Sequence, residues 1–199
     1  MSMTSKWPRT RTRRWIAAAV AAVAVITSGC AARHYQQVSC HTTFQSIRLL
    51  EAQAVPSATL IPCLLPLPQG WSYGGAEVRS GLVRFWVDSD RAGARAAEVR
   101  LTQTCDVSRA TEVLLKTPPG DLRGYEETTA RQPPTTVRYY VFTGGCVRYR
   151  FSFTRQTAPA LFDEADQFLG FDPRSVFVNA VRDGTGLPLC GAEAPPCPG

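Results

Sequence analysis

Apolar and polar residues alternate along the middle of the chain, which predicts β-strands with one buried face. In residues 82–88, Val83, Phe85 and Val87 share one side. Residues 98–105 repeat this pattern, and an alternation of period two places successive side chains on opposite faces of a sheet. Because turn-forming residues lie between the two stretches, we expect them to form a hairpin.

A second hairpin is predicted over residues 137–154, with its turn at Gly144 and Gly145. Both glycines are expected to adopt positive φ, as a tight hairpin turn requires. This pairing sets Tyr140 opposite Tyr149. The predicted buried face then contains Tyr140, Phe142, Val147, Tyr149, Phe151 and Phe153, and the opposite face contains Tyr139, Val141, Cys146, Arg148 and Arg150.

Helical spacing recurs on both sides of this region. One amphipathic helix is predicted before Pro56 and a second over residues 161–169. A third begins with Pro173 as its first residue and Asp172 as its N-cap, a favoured combination at helix starts. The pattern indicates an α+β fold, with an antiparallel sheet of about five strands, C-terminal helices packed on one face, and stapling by disulfides.

Two stretches have weaker patterns. Residues 60–67 are apolar but contain two prolines, so we expect a packed loop or short turn. Residues 106–135 contain several prolines and one expected edge strand near Tyr125.

The N-terminus has the composition of an export signal. Four arginines in residues 9–14 precede twelve apolar residues, Trp15 to Ile26. As a helix this run would be about 18 Å long, too short for a hydrocarbon core of about 30 Å. Small residues then lead into Cys30, and the segment resembles the lipobox of bacterial lipoprotein signal peptides.

The resemblance implies that Cys30 is acylated and becomes the first residue of the mature protein. The expected location is the extracytoplasmic face of the cell membrane, and the anchor makes the membrane the first expected partner. Residues 12–16 also resemble a twin-arginine signal, although a disulfide-containing domain favours unfolded export. The rest of the chain resembles no family closely enough to transfer a function.

Cleavage before Cys30 changes both the charge and the cysteine count. Five of the 22 basic residues and none of the 16 acidic residues precede Cys30, which leaves 17 basic against 16 acidic. The net charge of +6 therefore falls to +1, and we expect no nucleic-acid partner. Six of seven cysteines remain, an even number typical of disulfides. The expected pairs are Cys40–Cys63, Cys105–Cys146 and Cys190–Cys197.

The residue types found in catalytic and metal sites lack the required spacing. His34, His41 and Cys40 match no zinc pattern, and residues 88–99 lack two oxygen ligands of a calcium loop. We therefore expect no metal and no cofactor. The acidic residues in 163–166 are expected on the solvated face of a helix, and no histidine lies near a candidate nucleophile. We expect no enzymatic activity.

One constellation suits ligand binding, because planar guanidinium groups recognise carboxylates and phosphates and stack on aromatic rings. Tyr139 is expected to face Arg150 across the second hairpin. The possible anion-binding face consists of Arg84, Arg100, Arg148, Arg150, Tyr139 and Trp86.

The expected organisation is a signal peptide (1–29), a tether (30–39), one α+β domain (40–183) and an irregular tail rich in proline and glycine (184–199). The expected function is a lipid-anchored envelope protein that binds another envelope protein or polymer without catalysis. Two alternatives are also consistent with the sequence: an envelope enzyme that uses carboxylate or arginine chemistry on a polymer, and a purely structural envelope component.

Overall fold

The computed structural model describes residues 35–36, 46–116, 118, 120–129, 135–154 and 156–197. Its strands are β1 (Tyr35–Gln36), β2 (Leu60–Leu64), β3 (Trp71–Arg79), β4 (Leu82–Ser89), β5 (Gly93–Thr102), β6 (Thr111–Val113), β7 (Leu115–Lys116), β8 (Arg123–Thr129), β9 (Thr135–Phe142), β10 (Gly145–Phe151) and β11 (Leu169–Pro173). Its helices are α1 (Ser46–Ala54), α2 (Ala158–Phe168) and α3 (Arg174–Thr185).

Seven of the strands form one antiparallel sheet in the order β3-β4-β5-β10-β9-β8-β6. Two small ribbons accompany it, a parallel pair of β1 with β7 and an antiparallel pair of β2 with β11. The fold is α+β, mostly antiparallel, and the main sheet has seven strands rather than about five. The strands missed at its edges are β3, whose alternation is interrupted by Gly74 and Gly75, and the three-residue β6.

Residues 60–64 form a strand rather than the predicted loop. Pro62 lies opposite Phe171 of β11. A two-stranded ribbon leaves one side of each strand unpaired, so a proline without an N–H is tolerated there. The strand near Tyr125 is also not an edge strand, because β8 pairs with β9 on one side and with β6 on the other.

One face of the sheet is apolar and carries the helices. Val83, Phe85 and Val87 of β4 are buried there, as the alternation predicted. Helix α2 buries Leu161, Ala165 and Phe168 in the same core, and α3 buries Phe177, Val178 and Val181. Removal of this apolar surface from water supplies the main driving force for folding.

The β9–β10 hairpin has the predicted faces but a different register. Val147 lies opposite Tyr140, two positions from the predicted pairing. A shift by two residues keeps every side chain on its face, whereas a shift by one would exchange the faces. The turn is Thr143-Gly144, and Gly144, with φ of 72°, is the turn residue in the left-handed region. A Cβ at Gly144 would lie 1.8 Å from the Ser57 carbonyl oxygen, so this approach requires glycine.

The third helix starts differently from the prediction. Asp172 belongs to β11 and Pro173 occupies the N-cap position without a side-chain cap, because strand pairing continues to Pro173 opposite Leu60. Helix α3 extends to Thr185, and the irregular residues after it pack on the domain. Leu189 is buried, and the Ala192 amide donates to the Pro56 carbonyl at 2.7 Å.

Arg174 ties these C-terminal residues to the first helix. Its side chain is fully buried and donates from Nη1 to the Ala52 carbonyl and from Nη2 to the Cys190 carbonyl at 2.6 Å. Burial lowers the pKa of the Arg174 guanidinium. The Ala52 carbonyl lies in the last turn of α1, where a cation also stabilises the helix dipole.

Candidate anion-binding face

Three predicted site residues lie side by side on the polar face of the sheet. Arg84 of β4 is the direct cross-strand partner of Arg100 of β5, and Arg100 is the partner of Arg148 of β10. We call these three residues the arginine row. Adjacent strands are about 4.8 Å apart, so the row spans about 10 Å of the sheet.

The two outer members of the row have carboxylate partners. Arg84 donates from Nη2 to Glu77 Oε2 at 2.5 Å, and Arg148 Nη2 lies 3.8 Å from Glu98 Oε1. About one third of each arginine side chain is exposed. The side chain of Arg100, between them, has no hydrogen bond or ion pair with any residue that the structure describes, although its backbone pairs with β4 and β10. The central charge of the row is therefore without a partner in the described part of the domain.

Each arginine of the row has a buried side-chain nitrogen, the Nε atom, that lacks a hydrogen-bond acceptor among the described residues. The Nε atoms of all three are buried and make no hydrogen bond; within the described residues, Arg174 Nε is the other such side-chain atom. Leaving a buried donor unsatisfied costs roughly 1–3 kcal/mol. The row thus concentrates unsatisfied donors on one small area of the sheet.

Trp86 and Arg150 lie on the same side of the arginine row, in the next row of cross-strand neighbours, with Glu98 between them. Trp86 is the cross-strand partner of Glu98, which pairs in turn with the exposed Arg150. The indole lies so close to Gly74 and Gly75 of β3 that a Cβ at either glycine would come within 2.7 Å of it. The guanidinium of Arg95, which the sequence analysis did not select, lies 4.7 Å from the Trp86 ring centroid, and that of Arg84 lies 5.8 Å away.

Tyr139 continues the row but does not contribute an exposed ring. It lies opposite Arg148 rather than the predicted Arg150, because of the shift in the hairpin register. Tyr139 is buried in a small cluster with Val137 and Cys146, against which Cys105 packs. Burial and the nearby Glu127 carboxylate raise the pKa of the Tyr139 hydroxyl, which donates to Glu127 at 3.3 Å. Tyr139 thus helps to hold the polar face in place and does not offer its ring to a ligand.

Two disulfides connect described cysteines, and both are predicted pairs. Cys105 and Cys146 have Cα atoms 5.8 Å apart, and Cys190 and Cys197 have Cα atoms 4.7 Å apart. The first disulfide holds the segment that follows β5 against the polar face beside the arginine row. Cys63 is also disulfide-bonded, whereas its predicted partner Cys40 lies outside the described residues.

The acidic residues of α2 are not all solvated, contrary to the prediction. Glu164 accepts hydrogen bonds from Trp71 Nε1 at 2.7 Å and from both terminal nitrogens of Arg91. The hydrogen bond from Arg91, with that from Trp71, lowers the pKa of Glu164. Asp166 accepts from Arg138 Nη1 at 2.5 Å. These carboxylates hold the helix on the sheet.

Arg138 is a buried charge on the apolar face that the sequence analysis missed. Its side chain is 2% exposed and donates from Nε to Glu126 at 3.1 Å as well as to Asp166. Its guanidinium lies 5.2 Å from the Phe151 ring centroid and 4.8 Å from that of Phe162. Burial raises the pKa of Asp166, and the contact with Arg138 opposes that rise.

Several predicted residues lie outside the described part of the chain, namely Cys30, Cys40, His34 and His41. Among described residues, no cluster of three or more histidine, cysteine, aspartate or glutamate side chains is arranged to hold a metal ion. None of the helices in the described ranges has the length and apolar character needed to cross a bilayer.

Comparisons of the chain with models of protein families, with curated proteins and with solved structures gave no match.

Proposed function

We propose that this protein is a lipid-anchored component of the bacterial cell envelope whose domain binds an anionic envelope partner without catalysis. The observation that carries the binding role is the arginine row, three cross-strand neighbours of the same charge. Like charges directly opposite each other destabilise a sheet. An external anion would compensate this cost, which gives the arrangement a physical rationale.

The proposed location rests on the residues before and at Cys30. A basic segment, a short apolar run and small residues before a cysteine occur in the order of a lipoprotein signal. The disulfides of the domain favour the same location, because disulfides persist in oxidising compartments outside the cytoplasm. Two or more acyl chains on Cys30 would give a stable anchor.

Site-specific photo-crosslinking in cells tests the binding role. A photoreactive amino acid replaces Arg150, which is exposed on the polar face beside the row and leaves all three row arginines in place. The matched control carries it at Val176, which is 48% exposed on α3, the helix packed on the apolar face of the sheet. We expect a discrete crosslinked species from position 150 and none from position 176.

A second substitution makes this experiment specific to the arginine row. Adding Arg148→Gln to the position-150 variant should weaken the crosslinked species, because it removes a guanidinium from the binding face. Equal crosslinking from positions 150 and 176, or no product from position 150 in protein that has reached the envelope, would contradict the proposed binding role.

A further inference from the structure

The arginine row contains more positive charge than the acidic residues in the described ranges neutralise. Among the described residues, Glu77 and Glu98 lie against Arg84 and Arg148, and Arg100 has no acidic partner. The exposed Arg150 lies on the same face, next to Arg148 along β10. Because the uncompensated charge is in the middle of the row, an anion placed over Arg100 would be within reach of guanidinium groups on both sides.

The number and direction of the donors distinguish between classes of anion. A carboxylate has two oxygens in one plane, which match the fork of a single guanidinium. A phosphate group carries several strong acceptor oxygens in a tetrahedral arrangement, so it can accept from guanidinium groups that approach from three neighbouring strands. Three arginines on adjacent strands therefore fit one phosphate group better than one carboxylate.

The buried Nε atoms support the same conclusion. All three Nε–H groups of the row lack an acceptor, although the terminal nitrogens of Arg84 and Arg148 have carboxylates nearby. A bidentate phosphate uses two N–H groups of one guanidinium. A modest rotation of the partly exposed side chains would thus let a phosphate accept from donors that have no partner among the described residues.

We infer that Arg84, Arg100 and Arg148 form a binding site for a phosphate group, with Arg100 at its centre. This inference rests on the proposed anion-binding function and names its chemistry. The phosphate can belong to an anionic lipid headgroup or to a water-soluble phosphate compound of the envelope. Both sources offer the same group to the site, and the experiment separates them.

Isothermal titration calorimetry on the processed protein, purified from membranes and reconstituted in phosphatidylcholine nanodiscs, tests the site, with inorganic pyrophosphate as the probe and ionic strength held constant. We expect saturable binding that Arg100→Gln weakens at least about tenfold, since a charge-assisted hydrogen bond contributes roughly 1.5–3 kcal/mol. Arg182→Gln is the matched control, because it removes the same charge from an exposed position on α3 and should leave the affinity unchanged.

A stability measurement separates a binding role of Arg100 from a structural one. Arg100→Gln removes two direct like-charge pairs, so without phosphate the variant should be at least as stable as the wild type in urea. A clear loss of stability without phosphate would indicate a structural arginine and overturn the inference.

Changing the lipid composition of the nanodiscs distinguishes the two sources of the phosphate group. If the ligand is a lipid headgroup, adding phosphatidylglycerol to the nanodiscs should compete with pyrophosphate and weaken its apparent affinity. If the ligand is a soluble phosphate compound, the affinity should not change. Either result is compatible with the inferred phosphate site.

Citrate distinguishes failure of this inference from failure of the proposed function. Arg100-dependent binding of citrate as tight as that of pyrophosphate would overturn the preference for phosphate, while anion binding by the face would stand. Absence of binding by both anions would overturn the site. If position 150 also gave no crosslinked species in cells, the proposed function would fail with it.

Discussion

Replacing Arg138 by alanine is expected to lower the free energy of unfolding by about 4 kcal/mol at neutral pH. The substitution leaves the carboxylates of Glu126 and Asp166 without the cation that bonds to both, in a poorly hydrated environment. It also removes the guanidinium that lies against the rings of both Phe151 and Phe162, and so leaves a cavity. Urea unfolding followed by circular dichroism measures the change, with Arg182→Ala as an exposed control expected within about 0.5 kcal/mol of the wild type.

The pH dependence of this loss identifies its electrostatic part. Arg138 opposes the rise that burial causes in the pKa of Asp166, so its removal should raise that pKa further. When a carboxyl group has a higher pKa in the folded state than in the unfolded state, the protein loses stability as the pH rises from the unfolded-state pKa through the folded-state pKa. The loss of stability in Arg138→Ala should therefore shrink as the pH is lowered from neutral through the folded-state pKa of Asp166 in the variant. A deficit that stays constant with pH would show that packing alone is responsible.

If Arg138→Ala does not fold, Asp166→Asn in the presence of Arg138 gives a second test. It removes the carboxyl group, whose pKa is raised by burial, and keeps a side chain of nearly the same shape. This variant should fold, and its stability should change less than that of the wild type as the pH rises from acid to neutral. An unchanged pH dependence would exclude Asp166 as the titrating group.

Removing the Cys105–Cys146 disulfide by alanine substitution of both cysteines should lower the free energy of unfolding by about 4 kcal/mol. The two residues are 41 positions apart, and closing a loop of that length restricts the unfolded chain substantially. The disulfide also holds the segment after β5 against Val137 and Tyr139, so this small cluster should become accessible first. Thermal or urea unfolding measures the loss, and hydrogen exchange at Val137 and Tyr139 reports the local opening.

The Cys190–Cys197 disulfide provides the matched control. Its cysteines are only seven positions apart, so the same relation gives a smaller stabilisation of roughly 2–3 kcal/mol. Its removal should leave hydrogen exchange in β9 unchanged. Equal losses from both double variants would show that restriction of the unfolded chain is not the main contribution of the longer loop.

The central sheet could be predicted from the sequence because its strands alternate strictly. Val83, Phe85 and Val87 identify the buried face of β4, and the aromatic residues of β10 identify the same face further along the sheet. The register of the hairpin could not be derived with the same certainty. Two adjacent glycines allow more than one turn, and the contact between Gly144 and the Ser57 carbonyl, distant in sequence, coincides with the observed turn.

The residues that the sequence analysis missed are buried charges. Arg138 is two positions from Tyr140 and four from Phe142, so its parity already placed it on the apolar face. A solvated arginine was nevertheless the ordinary expectation, since burial of a charge is rare without partners. Its partners Glu126 and Asp166 lie on β8 and α2, so the sequence of β9 alone does not predict these contacts.

The sequence predicted that the three arginines share one face of the sheet, but it did not predict that they are direct cross-strand neighbours. Strand alternation placed Arg84, Arg100 and Arg148 on the polar side of their strands, whereas their direct pairing depends on the order β4-β5-β10 in the sheet. That order joins strands from two different hairpins. Local patterns specify each hairpin, and packing of the whole domain specifies which strands meet.

Fatty-acid labelling of Cys30 is the most direct test of the proposed lipid anchor. The expected envelope partner depends on the location that this anchor gives. Cells expressing the wild type or Cys30→Ala are grown with a radiolabelled fatty acid, and the protein is recovered from membrane and soluble fractions. We predict a labelled, membrane-bound wild type, and a variant that carries no label and retains its signal peptide. Label on Cys30→Ala, or an unlabelled wild type processed at another position, would contradict the lipid anchor.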